Sequence, residues 1–352
     1  MNASARNVAA TSFLAIASVS AQFSYAGSVQ YRISDLGVLG NDTVSIAYDI
    51  NNSGTVVGTT GGQQNQRAFI WQNGAMSTLG SQPATGSRPY AINDAGQAIV
   101  AVGSSSEIVA GGSITGLGFN ALAINASGQV AGAACGSSAC QGLIWENGSV
   151  SSLPPLPAGY TGSVAFSIND IGQAAGISSV NGSYGATVWS NGTPTYIGNG
   201  IASSINNLGQ VAGSMYLGPY THGFVWQNGL LKDIGALSQS VEGSVALDIN
   251  NSGSVVGYSG ANAFIWNEEG MSDLNGLIDP LDPLRSLTWL RSASAINDAG
   301  QIVGYGVISG QTHAYMLTPN IQAVPEPESW ILMLTGLVVI SATIKRKSFT
   351  SC

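Results

Sequence analysis

An Ile-Asn-x-x-Gly pentad occurs seven times along this chain, with its Asn at positions 51, 93, 125, 169, 206, 250 and 297. The spacings of 42, 32, 44, 37, 44 and 47 residues define a period near 40, which signals a repeat architecture. One such unit cannot bury its apolar face alone, so the units must pack on one another. Glycine supplies 47 of 352 residues and only 28 are charged (10 Lys or Arg, 18 Asp or Glu), yet 44 % are hydrophobic. That apolar fraction is ample for a core, so the glycines are turn formers in a folded chain.

Each unit divides into four short strands. The first ends at the pentad, as in Ala246-Leu247-Asp248-Ile249, and the second follows its Gly, as in Ser254-Val255-Val256-Gly257. The third is an aromatic run such as Ala68-Phe69-Ile70-Trp71, and the fourth is short, as in Lys232-Asp233-Ile234-Gly235. Asn-x-x-Gly is a tight turn in which Asn bonds its own backbone and Gly takes a positive φ. Replacing one such Asn by Ala is expected to cost about 1 kcal/mol, the value of the lost turn bond. Asn-Gly pairs such as Asn73-Gly74 turn the chain between the third and fourth strands. The unit over 93–120 lacks the aromatic strand.

Four strands per period predict an all-β fold, a seven-bladed β-propeller of four-stranded blades over residues 27–319, with a β-solenoid as the alternative. The ends favour the ring. The chain opens on a fourth-type strand, Tyr31–Gly37, and closes on a third-type strand, His313–Leu317. The N-terminal strand then completes the last blade and removes an open edge. Ala stands three residues before the pentad Ile in six units, and Asp49, Ala91, Ala123, Ser167, Ser204, Asp248 or Ala295 stands just before it. A two-residue period puts these small residues on one face and Ile on the other, with this strand innermost.

Both termini read as addresses. Arg6, an apolar stretch from Val8 to Val19 and the small-residue end Ser24-Tyr25-Ala26 make residues 1–26 a signal peptide, cleaved by signal peptidase after Ala26 or, as a weaker option, after Ala21. A linker over 320–329 leads into an apolar run over 330–344, the expected transmembrane helix, and a basic cytoplasmic tail over 345–352. At ~1.5 Å per residue that run reaches only about 22 Å of a ~30 Å hydrocarbon core, so Trp330 and Lys345-Arg346-Lys347 would anchor its ends.

The tail, with Pro325, Glu326 and Pro327 before the apolar run, resembles the PEP-CTERM sorting signal of exported proteins, a plain membrane anchor being the alternative. The resemblance implies recognition by an exosortase-type processing enzyme, export across the inner membrane of a Gram-negative bacterium and a place at the cell surface or outside it. The repeats over 31–318 resemble the HAF-type extracellular repeat, whose unit joins a His-Ala-Phe strand, the Ile-Asn-x-x-Gly turn and an Asp-Leu-Gly strand. His313-Ala314-Tyr315 and His222-Gly223-Phe224 are the nearest matches, with Arg67, Gln141 and Asn262 at the His position elsewhere. That family implies export and repetition and no set chemistry.

Composition bounds the chemistry. Two His and three Cys leave little for His-based catalysis or a closed zinc site, and a net charge of −8 argues against a nucleic-acid partner. The two His residues read as structural, with no polar partner evident beside either. Asp94, Asp170 and Asp298 read as turn formers in separate units. Cys135 and Cys140 read as a disulfide across a hairpin loop, as expected of an exported protein. No catalytic residue, metal or cofactor is expected. The leading function is a non-catalytic surface or matrix protein that binds polysaccharide, notably exopolysaccharide, or another protein. The alternatives are a glycosidase or lyase and a purely structural repeat. Both kinds of tight turn fall at one end of the ring. The opposite end collects the long connections, and these carry Tyr160, Tyr184, Tyr216, Tyr220 and Trp289 as candidate binding residues.

Overall fold

In the computed structural model every pentad closes the same turn. Asn51 N–H donates to the Thr55 carbonyl at 3.1 Å, Gly54 N–H donates to the Asn51 carbonyl at 3.0 Å, and Gly54 has a φ of 78°. The strands on either side, Val44–Ile50 and Val56–Gly61, run antiparallel. The structure describes residues 29–62, 66–80, 86–157, 159–238 and 243–320. The expected signal peptide with Ala26, the Pro325-Glu326-Pro327 motif and the apolar run over 330–344 lie outside them. Among the described residues no helix is long and apolar enough to cross a membrane.

The fold is an all-β propeller, but its sheets do not divide into seven separate four-stranded blades. Five sheets have four strands and one has seven. The fourth and fifth repeats share that seven-stranded sheet because Thr193–Ile205 runs unbroken for 13 residues. Its first half pairs with Ser183–Ser190 as an outer strand, and its second half pairs with Val211–Leu217 as an inner one. Elsewhere a loop separates these two roles. The N-terminal strand Gln30–Gly37 pairs with Gln311–Asn320, so the first strand joins the last sheet. Its outer edge is covered in turn. Asp279 N–H donates to the Tyr31 carbonyl at 2.8 Å and Ile33 N–H donates to Asp282 Oδ2 at 3.0 Å.

Simple alternation along the inner strands is broken, and this corrects the expected faces. In all seven repeats a β-bulge falls between the residue three before the pentad Ile and the residue one before it, for example between Ala47 and Asp49. The extra residue turns toward the ring axis, and the strand resumes with its faces exchanged. Ala47 and Ile50 therefore share one core cluster with Val56 and Phe69, packed on Ala295 and Val303 of the preceding repeat. Asp49 turns to the following repeat instead. The bulge also explains a recurring glycine: a Cβ on Gly58 would stand 2.2 Å from the bulged strand's Ile46 carbonyl and 2.6 Å from the Phe69 ring. Full burial of Phe69, Phe224 and Phe264 over such glycines contributes about 1.5–3 kcal/mol each.

Candidate functional site: the axial channel

The pentad Asn does more than cap its turn. Asn250 Oδ1 accepts from Ser252 N and Ser254 N at 3.1 and 3.0 Å, while its Nδ2 donates to the Asn297 carbonyl of the next repeat at 3.0 Å. The same inter-repeat bond runs from Asn51 to Asn93, Asn93 to Asn125, Asn125 to Asn169, Asn169 to Asn206, Asn206 to Asn250, and Asn297 back to Asn51. All seven carboxamides are buried. A second, open arc of bonds lies above the first, among the residues after each Asn: Ala126 N–H donates to Asp170, Asp170 N–H to Asn207, Asn207 N–H to Asn251, Asn251 N–H to Asp298, and Asp298 N–H to Asn52. Asn52 N–H donates to Asp94 at 2.8 Å, so the turn aspartates hold neighbouring turns as well as their own.

The ring and the arc rim the upper end of an axial channel. Below them, on the side away from the pentad turns, opens a cavity of about 400 Å³. The bulge residues line it: Tyr48, Tyr90, Leu122, Phe166, Ser203, Leu247 and Ser294. The Arg88 guanidinium lies 4.2 Å from the centre of the Tyr48 ring and 5.2 Å from that of Tyr90. Sequence reasoning missed this lining because a bulge cannot be read from alternation.

Asp49 and Asp248 stand on the channel wall between the two ends. Both residues are half-buried among the inner strands. Asp49 accepts from Ile92 N at 2.7 Å and from Ile50 N at 2.8 Å. Asp248 accepts from Ile296 N at 2.9 Å and from Ser204 Oγ at 2.7 Å. Burial pushes the Asp49 carboxyl up to about 8, helped by the Asp248 charge and opposed by the two N–H donors. Burial also raises Asp248, against the hydrogen bonds from Ile296, Ser204 and Ile249. Asp at this position in two repeats of seven was the one sequence signal for the pair.

The predicted loop aromatics are spread over the fourth, fifth and last repeats. Tyr216 and Tyr220 are exposed but lie in strands, because Val211–Leu217 and Tyr220–Gln227 extend to a two-residue turn. Tyr184 likewise lies in a strand that meets Ala174–Val180 through a tight turn. The strands run further than the repeat pattern indicated, so two expected long loops become extended hairpins. Trp289 is already engaged: its Nε1 donates to Asn262 Oδ1 at 2.9 Å and the Arg291 guanidinium stacks 4.1 Å from its ring. The Tyr160 hydroxyl packs where a Cβ on Gly185 would stand, 2.9 Å away. Cys135 and Cys140 are disulfide-bonded across paired strand ends. Both His residues do have partners: His222 Nδ1 is 3.0 Å from Asp233, and His313 Nδ1 is 2.9 Å from Asp35. Each Asp belongs to the fourth-type strand, so the pair staples the third strand to the fourth. Among the described residues no cluster of three or more His, Cys, Asp or Glu is placed to hold a metal ion.

No protein-family model and no curated protein matches this chain. Solved β-propellers do resemble it. The β-propeller domain of the Trilobed protease from Pyrococcus furiosus superposes with a TM-score of 0.50 at 11 % identity, over 68 % of this chain and 86 % of that one. A streptogramin B lyase structure gives a TM-score of 0.50 at 8 % identity, over 82 % of this chain and 98 % of that one. At such identities the likeness concerns the fold, which serves enzymes and binding proteins alike.

Proposed function

We propose that this is an exported propeller that binds a glycan, without chemistry on it, at the channel end opposite the pentad turns. The observation that supports the reading is the cavity of about 400 Å³ walled by Tyr48, Tyr90 and Phe166. Flat aromatic faces stack on the C–H faces of sugars, and Ser203 and Ser294 on the same wall offer hydroxyls to sugar oxygens. Tyr216 and Tyr220, exposed at that end, extend the surface for a polymer. A holding role fits the carboxylates better than proton transfer does. The oxygens of Asp49 and Asp248 already accept from backbone N–H groups, which fix them in place. Export rests on the terminal segments and on the resemblance of the repeats. The test is to incubate the purified protein with the exopolysaccharide of its host and measure retention and release of reducing ends together. Retention without release is expected, and steady release of reducing ends would favour a glycosidase.

A further inference from the structure

The seven repeats act as controls for one another: a residue type kept in most copies is set by the fold, and a departure asks for another cause. Four residues before the pentad Ile the copies carry Ile46, Arg88, Asn120, Val164, Ile201, Val245 and Ser292, so one position of seven is charged. Two residues before the Ile, Tyr occurs only as Tyr48 and Tyr90. Arg88 stacks on both of these rings, and Asp49 lies beside Tyr48 on the same wall. The departures thus converge on one sector of the lower mouth, where the first and second repeats meet.

Arg88 is exposed and, among the described residues, makes no ion pair; Arg32, Arg285 and Arg291 make none either, but Arg88 is the one that lies against two rings of the cavity wall. Stacking uses the face of a guanidinium and leaves its N–H donors in the plane free. Contact with two rings restrains the Arg88 side chain, so less freedom is lost when a planar carboxylate meets the fork of donors. The chain as a whole carries a net charge of −8 and repels anionic polymers at long range, which makes one unpaired cation at an aromatic mouth decisive.

We infer that the lower mouth selects an anionic glycan, with Arg88 binding the carboxylate of a uronate residue whose ring enters the aromatic-lined cavity. This rests on the glycan-binding role proposed above and narrows it to one class of sugar. Calorimetric titration of the whole protein with tetragalacturonate, and with the same oligomer after reduction of its carboxyl groups, separates the two. The acid form should bind about tenfold tighter, the value of a charge-assisted fork, and the preference should shrink as salt rises. Arg88→Gln should erase the preference with an unchanged melting temperature. Arg88→Lys, which keeps the charge without the fork, should lose most of it. Equal affinity of the wild type for both oligomers, or a preference that survives Arg88→Gln, overturns the inference. If the reduced oligomer still binds in either case, glycan binding stands and only the selectivity fails. Capture of a peptide C-terminal carboxylate with no binding of either sugar also overturns it, in favour of a protein partner.

Discussion

Asn250→Ala tests whether the pentad Asn is a turn cap or a joint between repeats. A cap alone is worth about 1 kcal/mol. In the structure the carboxamide serves three backbone groups, Ser252 N, Ser254 N and the Asn297 carbonyl, and it is only 6 % exposed. Water cannot replace these partners at a closed joint, so at about 1 kcal/mol per group the variant should lose about 3 kcal/mol. For a domain of this size that is a fall of roughly 6–12 °C in melting temperature. Asn250→Asp separates the two roles, because it keeps the acceptor for the turn and puts an oxygen against the Asn297 carbonyl. It should remain destabilised at neutral pH and recover in acid, where a protonated carboxyl donates that bond again. Thermal and urea unfolding followed by circular dichroism measure both. A loss near 1 kcal/mol for Ala, with no pH-dependent defect for Asp, would refute the joint.

Further expectations follow from single contacts. Asp49 has a folded-state pKa of about 8, above the ~3.9 of an unfolded carboxyl, so the wild type should lose stability as pH rises from about 4 to 8. Asp49→Asn should lose less over that range in urea titrations at several pH values, the remaining fall coming from Asp248, which burial also raises, although the variant starts lower for want of one N–H acceptor. Glu107 occupies the place that Phe69 holds in the first repeat, pairing with Val100 as Phe69 pairs with Gly58, and its Oε2 is buried without a hydrogen-bond partner among the described residues. Glu107→Met should therefore raise stability by about 1 kcal/mol in the same assay. Reducing the Cys135–Cys140 disulfide should cost about 2 kcal/mol, read as a lower urea midpoint in the same assay.

Much of this architecture was legible because repetition multiplies weak signals. One Asn-x-x-Gly turn is ambiguous, and seven at one period are not. The closing strand was legible from strand types at the two ends, and Cys135 and Cys140 from their spacing. Three features were not. The bulge before each pentad Ile exchanges faces without a residue that announces it, which hid the channel lining of Tyr48, Tyr90 and Phe166. The Asn ring depends on a donor reaching a carbonyl 32 to 47 residues away, and local sequence cannot show that the Nδ2 is spoken for. The fusion of the fourth and fifth repeats through Thr193–Ile205 replaces a loop by continuous strand, where the pattern gave only a spacing of 37 residues. Tyr216, Tyr220 and Trp289 all lie at the end opposite the pentad turns, but on strand ends rather than in the long loops that the repeat pattern suggested.

The account stands on where a glycan sits, and hydroxyl-radical footprinting reads that directly from side-chain oxidation with and without the host exopolysaccharide. Tyr48, Tyr90 and Phe166 should be protected by the ligand, while Ile171 and Leu208, 68 % and 62 % exposed on the pentad-turn end, should oxidise equally in both conditions. Protection confined to Ile171 and Leu208, with Tyr48 and Tyr90 unchanged, would contradict it.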